Sequence, residues 1–222
     1  MGRFDCIPQE QLKRPTRPTR NPNQPIRIQN DQMDVQINPQ TGLIDHYRID
    51  GVDLLAPNAC CPLVIQDDPN PWGFEVLSFR QICGAFQTAD SQENQQISGV
   101  LNPGLPPVRI IEEGLVRTVV EAILTYHHSS ICLRYKIPLQ GSEIEIEARV
   151  YWNEKDKMLK LTFPTPLKKA SCLRQVAGGI ENTPSNGHEM VFQKWAALAS
   201  EEKQIALSVI NDRVYGMDYQ YG

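Results

Sequence analysis

A chain of 222 residues, 41% hydrophobic and 22% charged, is long enough for one large domain that buries its own core without help from disulfides or metals. The formal net charge is −4, and the basic residues are scattered except near the N-terminus, which argues against the concentrated basic face of a nucleic-acid reader. No apolar run approaches the ~20 residues that span a bilayer and no apolar signal core opens the chain, so a cytoplasmic protein without a membrane partner is expected.

Residues 1–25 read as a linker. Pro8, Pro15, Pro18, Pro22 and Pro25 recur among Arg, Thr, Asn and Gln, a spacing that forbids a helix and favours extended backbone. Arg14, Arg17 and Arg20 keep such a segment soluble. Residues 26–222 then form one domain. From Ile26 the apolar residues adopt period two, with Met33, Val35 and Ile37 alternating with Asp34 and Gln36. Asn38 to Gly42 carry turn chemistry, Leu43 to Ile49 return as a strand, and Asp50-Gly51 turns again into Val52 to Leu55.

Leu63 to Ile65 form a short strand, interrupted by the Pro- and acid-rich stretch from Asp67 to Glu75. Residues 84–107 are polar, Gln-rich and Pro/Gly-rich, and read mostly as an unusually long loop. From Val108 onward the β pattern is dense. Strands are expected over Val116 to Tyr126, Ile131 to Ile137 and Ile144 to Val150, the last with Ile144, Ile146, Ala148 and Val150 on a buried face. Asn153 to Asp156 would be the hairpin turn into the strand containing Leu159, Leu161 and Phe163. Met190 to Leu198 and Gln204 to Ile210 flank a turn near Ser200 to Lys203. No segment sustains a 3.6-residue apolar period, so at most one short helical turn is expected. Many antiparallel strands on short turns define an all-β protein, a large antiparallel β-sandwich.

The six cysteines make no CxxC pair, and adjacent Cys60 and Cys61 on a strand would point to opposite faces, so free thiols in a reducing compartment are expected. His46, His127, His128 and His188 show no metal-ligand spacing, and no GxSxG or phosphate loop occurs. No catalytic residue and no metal ligand is therefore assigned. The candidate sugar-binding residues are Asp68, Trp72 and Glu75 in one stretch and Asp212, Tyr215 and Asp218 in another, because a ring offers a stacking face and carboxylates accept from hydroxyls. The same rings could equally pack in loops, with the acids capping turns.

Several segments carry a resemblance in a shared order. They are Asn30 to Ile44, Asp68 to Glu75, Trp152 to Phe163, Ile180-Glu181-Asn182-Thr183-Pro184, Lys194-Trp195, and Asn211-Asp212 followed by Tyr215-Gly216-Met217-Asp218. From about Ile28 to Asp218 the chain resembles the C-terminal β-domain of the family 38 α-mannosidases, glycoside hydrolases. It departs from the family pattern at Gly73-Phe74, where further acid and tryptophan residues are common, and at Asn182, where an Arg is usual. The resemblance implies a galactose-mutarotase-like supersandwich, an α-mannoside as the carbohydrate, and a separate α/β catalytic domain that holds the nucleophile and zinc. This chain would then support that domain and have no cofactor of its own. The alternatives are a free-standing carbohydrate-binding module and a structural or interaction domain without ligand.

Overall fold

The computed structural model describes residues 24–69 and 76–220. Among these, the chain forms in order β1 (Ile26–Gln29), β2 (Met33–Ile37), β3 (Ile44–Ile49), β4 (Val52–Leu55), β5 (Cys61–Gln66), β6 (Ile82–Ala85) and β7 (Gln87–Thr88). Helix α1 (Ser91–Ser98) follows, then β8 (Val108–Glu113), β9 (Arg117–Tyr126), β10 (Ser129–Pro138), β11 (Glu145–Tyr151) and β12 (Lys157–Thr162). The remaining strands are β13 (Ala170–Val176), β14 (Gly179–Thr183), β15 (Met190–Val191), β16 (Trp195–Ser200), β17 (Ile205–Ile210) and β18 (Gly216–Met217).

These strands assemble into antiparallel sheets, and the expected β-sandwich is what the chain forms. The first sheet is the meander β1-β2-β3-β4. The second runs β11-β10-β9, with β7 and β8 both on the far edge of β9. A third, β12-β5-β6, and a fourth, β14-β13-β16-β17, complete the layers with the small ribbon β15-β18.

The core lies where the first sheet faces β9 and β10. Val35, Ile37, Ile44 and Leu54 meet Val120, Ala122 and Leu124 of β9 and Ile131, Leu133, Tyr135 and Ile137 of β10 in one cluster of buried residues. Burial of each large side chain there contributes roughly 1.5–3 kcal/mol. The approach is close. Asn38 caps the β2–β3 turn by accepting from the Gln40 and Thr41 amides, and Gly42 follows at φ +70°. A Cβ at Gly42 would lie 2.6 Å from Cβ of Ala122. The Gly42 carbonyl accepts a hydrogen bond from the buried Tyr135 hydroxyl at 2.8 Å.

Strand β9 is covered on its second face as well. There Glu121, 5% exposed, accepts from Arg109 at 2.6 Å and from Arg134 at 2.9 Å. Arg109 also donates to Asn94 of α1, so the buried carboxylate is tied to the helix above it.

Four expectations need correction. Asn153 to Asp156 do not form a hairpin, because β11 pairs with β10 whereas β12 pairs with β5. The segment crosses from one sheet to another. Ala148 and Val150 are exposed, since β11 is an edge strand and the core beneath it ends near Ile146. Residues 84–107 are not one long loop: the end of β6, β7 and α1 take up half of them. The helix is held by a capping box between Asp90 and Glu93 and ends at Gly99 in the left-handed conformation. The Met190 to Leu198 strand is two, β15 and β16, belonging to different sheets.

Replacing Tyr135 with Phe leaves the Gly42 carbonyl buried and unpaired, and should cost about 1–3 kcal/mol in denaturant unfolding. Gly42→Ala should cost more, about 3 kcal/mol or above, because it adds a steric clash to an unfavourable φ.

Candidate functional site

The six sugar-binding candidates do not converge. Trp72 and Glu75 lie outside the described residues. Asp68 is exposed just beyond β5, where the Asp67 amide donates to the carbonyl of Asp156. Asp212 is on an exposed turn with its side chain 88% accessible, paired only with its neighbour Arg213 among the ion pairs of the described residues. Tyr215 is half exposed, and its carbonyl accepts from the Phe192 amide.

Asp218 sits in a different setting, built from three elements. In the ribbon, Met190 faces Met217, so Glu189 and Asp218 are the next facing pair. Lys160 of β12 places its Nζ 2.5 Å from Glu189 and 2.6 Å from Asp218. All three side chains are about three-quarters buried or more. One ammonium thus neutralises part of two carboxylates that would otherwise repel each other. On the far side, the Glu189 amide donates to the Leu77 carbonyl, and the Arg80 guanidinium lies against Gly187, in the space a Cβ would take. Chemically the trio is a clamp between the ribbon and the β12-β5-β6 sheet, with one oxygen of each carboxylate engaged by the ammonium. Sequence reading singled out Asp218 but not its partners, because Lys160 stands in an ordinary alternating strand.

A second feature is a cleft of about 630 Å³ lined by Lys169, Ala170, Ser171 and Cys172 of β13 and its approach, Asn182, Thr183 and Ser185 at the end of β14, and Tyr219. Tyr219 is fixed there by donating its hydroxyl to the Ala170 carbonyl at 3.3 Å. Thr183, 5% exposed, faces Cys172 across the β13–β14 ladder, with its hydroxyl enclosed beside the thiol.

No group of three or more His, Cys, Asp or Glu side chains able to hold a metal occurs among the described residues. His127 and His128 lie exposed at the β9–β10 turn, with His127 facing Glu154 at 3.8 Å. The five described cysteines are free. Burial pushes the Cys60 thiol up to about 12, and burial with the nearby Glu121 carboxylate pushes Cys132 up to about 11. No described helix is long and apolar enough to cross a membrane.

Layered antiparallel sheets with one short helix define a β-sandwich domain. The model of the glycosyl hydrolases family 38 C-terminal domain matches residues 28–222, and the chain belongs to that family. A search of curated proteins finds no match.

Lys160→Met should destabilise the protein by about 1–3 kcal/mol at neutral pH, since it leaves two largely buried carboxylates facing each other. Urea unfolding measures the deficit. In thiol labelling at pH 8, exposed Cys83 should react fast, and Cys60 only on unfolding, because a buried thiol with a raised pKa supplies almost no thiolate.

Proposed function

We propose that this chain is the C-terminal β-sandwich portion of an α-mannosidase-like glycoside hydrolase, acting as the support of a separate α/β catalytic domain. The observation that carries this reading is the family match over residues 28–222, which spans nearly the whole folded part. The donor sets among the described residues do not fit zinc. Zinc would be held by the catalytic domain, and no step runs through it here. Hydrolysis of an α-mannoside would likewise take place on that domain, and the 222-residue chain alone would be inactive.

The surface offers a place for such a partner. Ile180, Val191, Ile210, Val214 and Tyr215 are each half or more exposed. They gather at one end of the β14-β13-β16-β17 sheet, where Gln193 bonds to Gln175, Asn211 to Lys194 and Phe192 to Tyr215. An apolar end of this kind, with Asp212 between its members, fits a covered interface better than free solvent. Asp212 and Tyr215 at that edge would form part of one wall of the sugar site, and Asp68, Trp72, Glu75 and Asp218 are the other candidates for it. The free thiols support a reducing, cytoplasmic setting.

Hydrolysis of an aryl α-mannoside with added zinc tests the reading. The chain alone should give no turnover, and the chain joined to a family 38 catalytic domain should. Ile210→Asp with Val214→Asp should weaken association of the two domains at least about tenfold by placing charges in an apolar contact. Turnover by the chain alone, or association unaffected by both substitutions, would overturn it.

A further inference from the structure

We infer that the free edge of β11 is a self-association surface, on which β11 of a second copy adds as an antiparallel strand across a two-fold axis at Ala148. β11 ends the β11-β10-β9 sheet, and its register with β10 runs unbroken from Glu145 to Tyr151. Proline and bulges, which commonly guard an exposed edge, are absent from it.

The register fixes which backbone groups face outward. The Leu139 amide donates to the Val116 carbonyl, one step past the facing pair Pro138 and Arg117 of β10 and β9. Hydrogen-bonded pairs alternate along an antiparallel ladder, so Ile131, Leu133, Tyr135 and Ile137 bond to β9, whereas Cys132, Arg134 and Lys136 bond to β11. Their partners on β11 are Arg149, Glu147 and Glu145. The N–H and C=O groups of Ile146, Ala148 and Val150 therefore point away from β10, to the open edge.

An antiparallel copy centred on Ala148 uses all of these groups. Ile146 faces Val150 of the partner subunit, Ala148 faces its own counterpart, and each pair exchanges backbone hydrogen bonds. Between them, Glu147 faces Arg149 of the partner subunit at the closer, non-hydrogen-bonded position, where cross-strand side chains interact most directly. The charges are self-complementary in this register. Centring on Glu147 or on Arg149 would set like charges face to face, and centring on Ile146 would set Glu145 against Glu147. Glu147 is held in place by Lys136 at 3.0 Å. Arg149 meets Glu147 within the chain through Nε at 2.6 Å, and with 63% of its side chain exposed the rest of the guanidinium lies at the surface.

The apolar face agrees. Ile146, Ala148 and Val150 lie on the core side of the sheet beside Tyr135, Leu133 and Ile131, yet Ala148 and Val150 are exposed. An added strand continues that apolar row with the same three residues in reverse order. This edge is separate from the apolar end of the fourth sheet, and nothing in the inference depends on the α-mannosidase reading.

A single added ladder is a small interface, so the dimer should be weak, with a Kd of about 10–100 μM. Sedimentation equilibrium of the whole chain, at concentrations spanning that range, is the test, and a monomer–dimer equilibrium is the expected result. Glu147→Arg and Arg149→Glu should each weaken it at least about tenfold, since each sets like charges together on both sides of the axis. An equimolar mixture of the two variants should restore a dimer, because every facing pair is again opposite in sign. Ala148→Pro should abolish the dimer: it removes an outward N–H and spares the bonds to β10, so the amide spectrum should show a folded monomer. Raising the concentration should slow hydrogen exchange at Ile146, Ala148 and Val150, and leave Glu147 and Arg149, already bonded to β10, unchanged. Should Glu147→Arg fail to fold beside Arg134 and Lys136, Ala148→Pro and the exchange pattern decide. A monomer at every concentration, a dimer that survives Ala148→Pro, or no association in the mixture of folded charge variants would overturn the inference.

Discussion

The carbonyl of Gly42 sets how closely the first sheet approaches the second. It is buried against β10 and takes its hydrogen bond from Tyr135, while the missing side chain of the same residue lets the β2–β3 turn come down onto Ala122. The two requirements act together. The hydroxyl needs an acceptor in a dry interior, and only a residue without a Cβ can carry one to that spot at positive φ. Once the turn is seated, Val35, Ile37 and Ile44 are held against Val120, Leu124 and Leu133, and the core closes. Strand β9 is then buried on both faces. Its outer face therefore requires that Glu121 be answered by Arg109 and Arg134 and roofed by α1.

Much of this architecture is legible as alternation. The β2–β3 hairpin, β9, β10 and the β16–β17 pair stand out because one face of each strand, or both, is apolar and the turn residues between them are specific. Pairing over long sequence distance is not legible. Nothing in Trp152 to Phe163 says that β12 leaves its predecessor and joins β5, because either neighbour would satisfy the same pattern of side chains. Helix α1 escapes for another reason. Its residues are nearly all polar, so no apolar stripe marks it. The signals present are its ends, Asp90 with Glu93 at the start and Gly99 at the close, which a reading weighted to hydrophobic period passes over.

The surface chemistry is less legible than the fold. Asp212 and Tyr215 are where an exposed turn would put them, but Asp218 is committed to Lys160, far away in sequence. The cleft shows the same limit. Asn182 and Thr183 belong to a segment that resembles its family, yet their neighbours Lys169, Ser171 and Tyr219 come from positions that only the sheet order brings together. A cleft assembled from the ends of β13 and β14 and a later segment leaves no local spacing to read.

The largest fully buried side chains, from Val35 to Ile137, all come from the earlier part of the chain. In the fourth sheet, by contrast, β17 alternates only between half-buried and exposed residues, and β14 buries Thr183 alone. Such shallow burial makes β14 and β17 locally less stable than β9 and β10. Amide protons in the fourth sheet and the ribbon can exchange through partial opening, with the Lys160 contacts breaking while β9 and β10 stay closed. A domain built this way can loosen the end that carries its apolar surface and its cleft without giving up its fold.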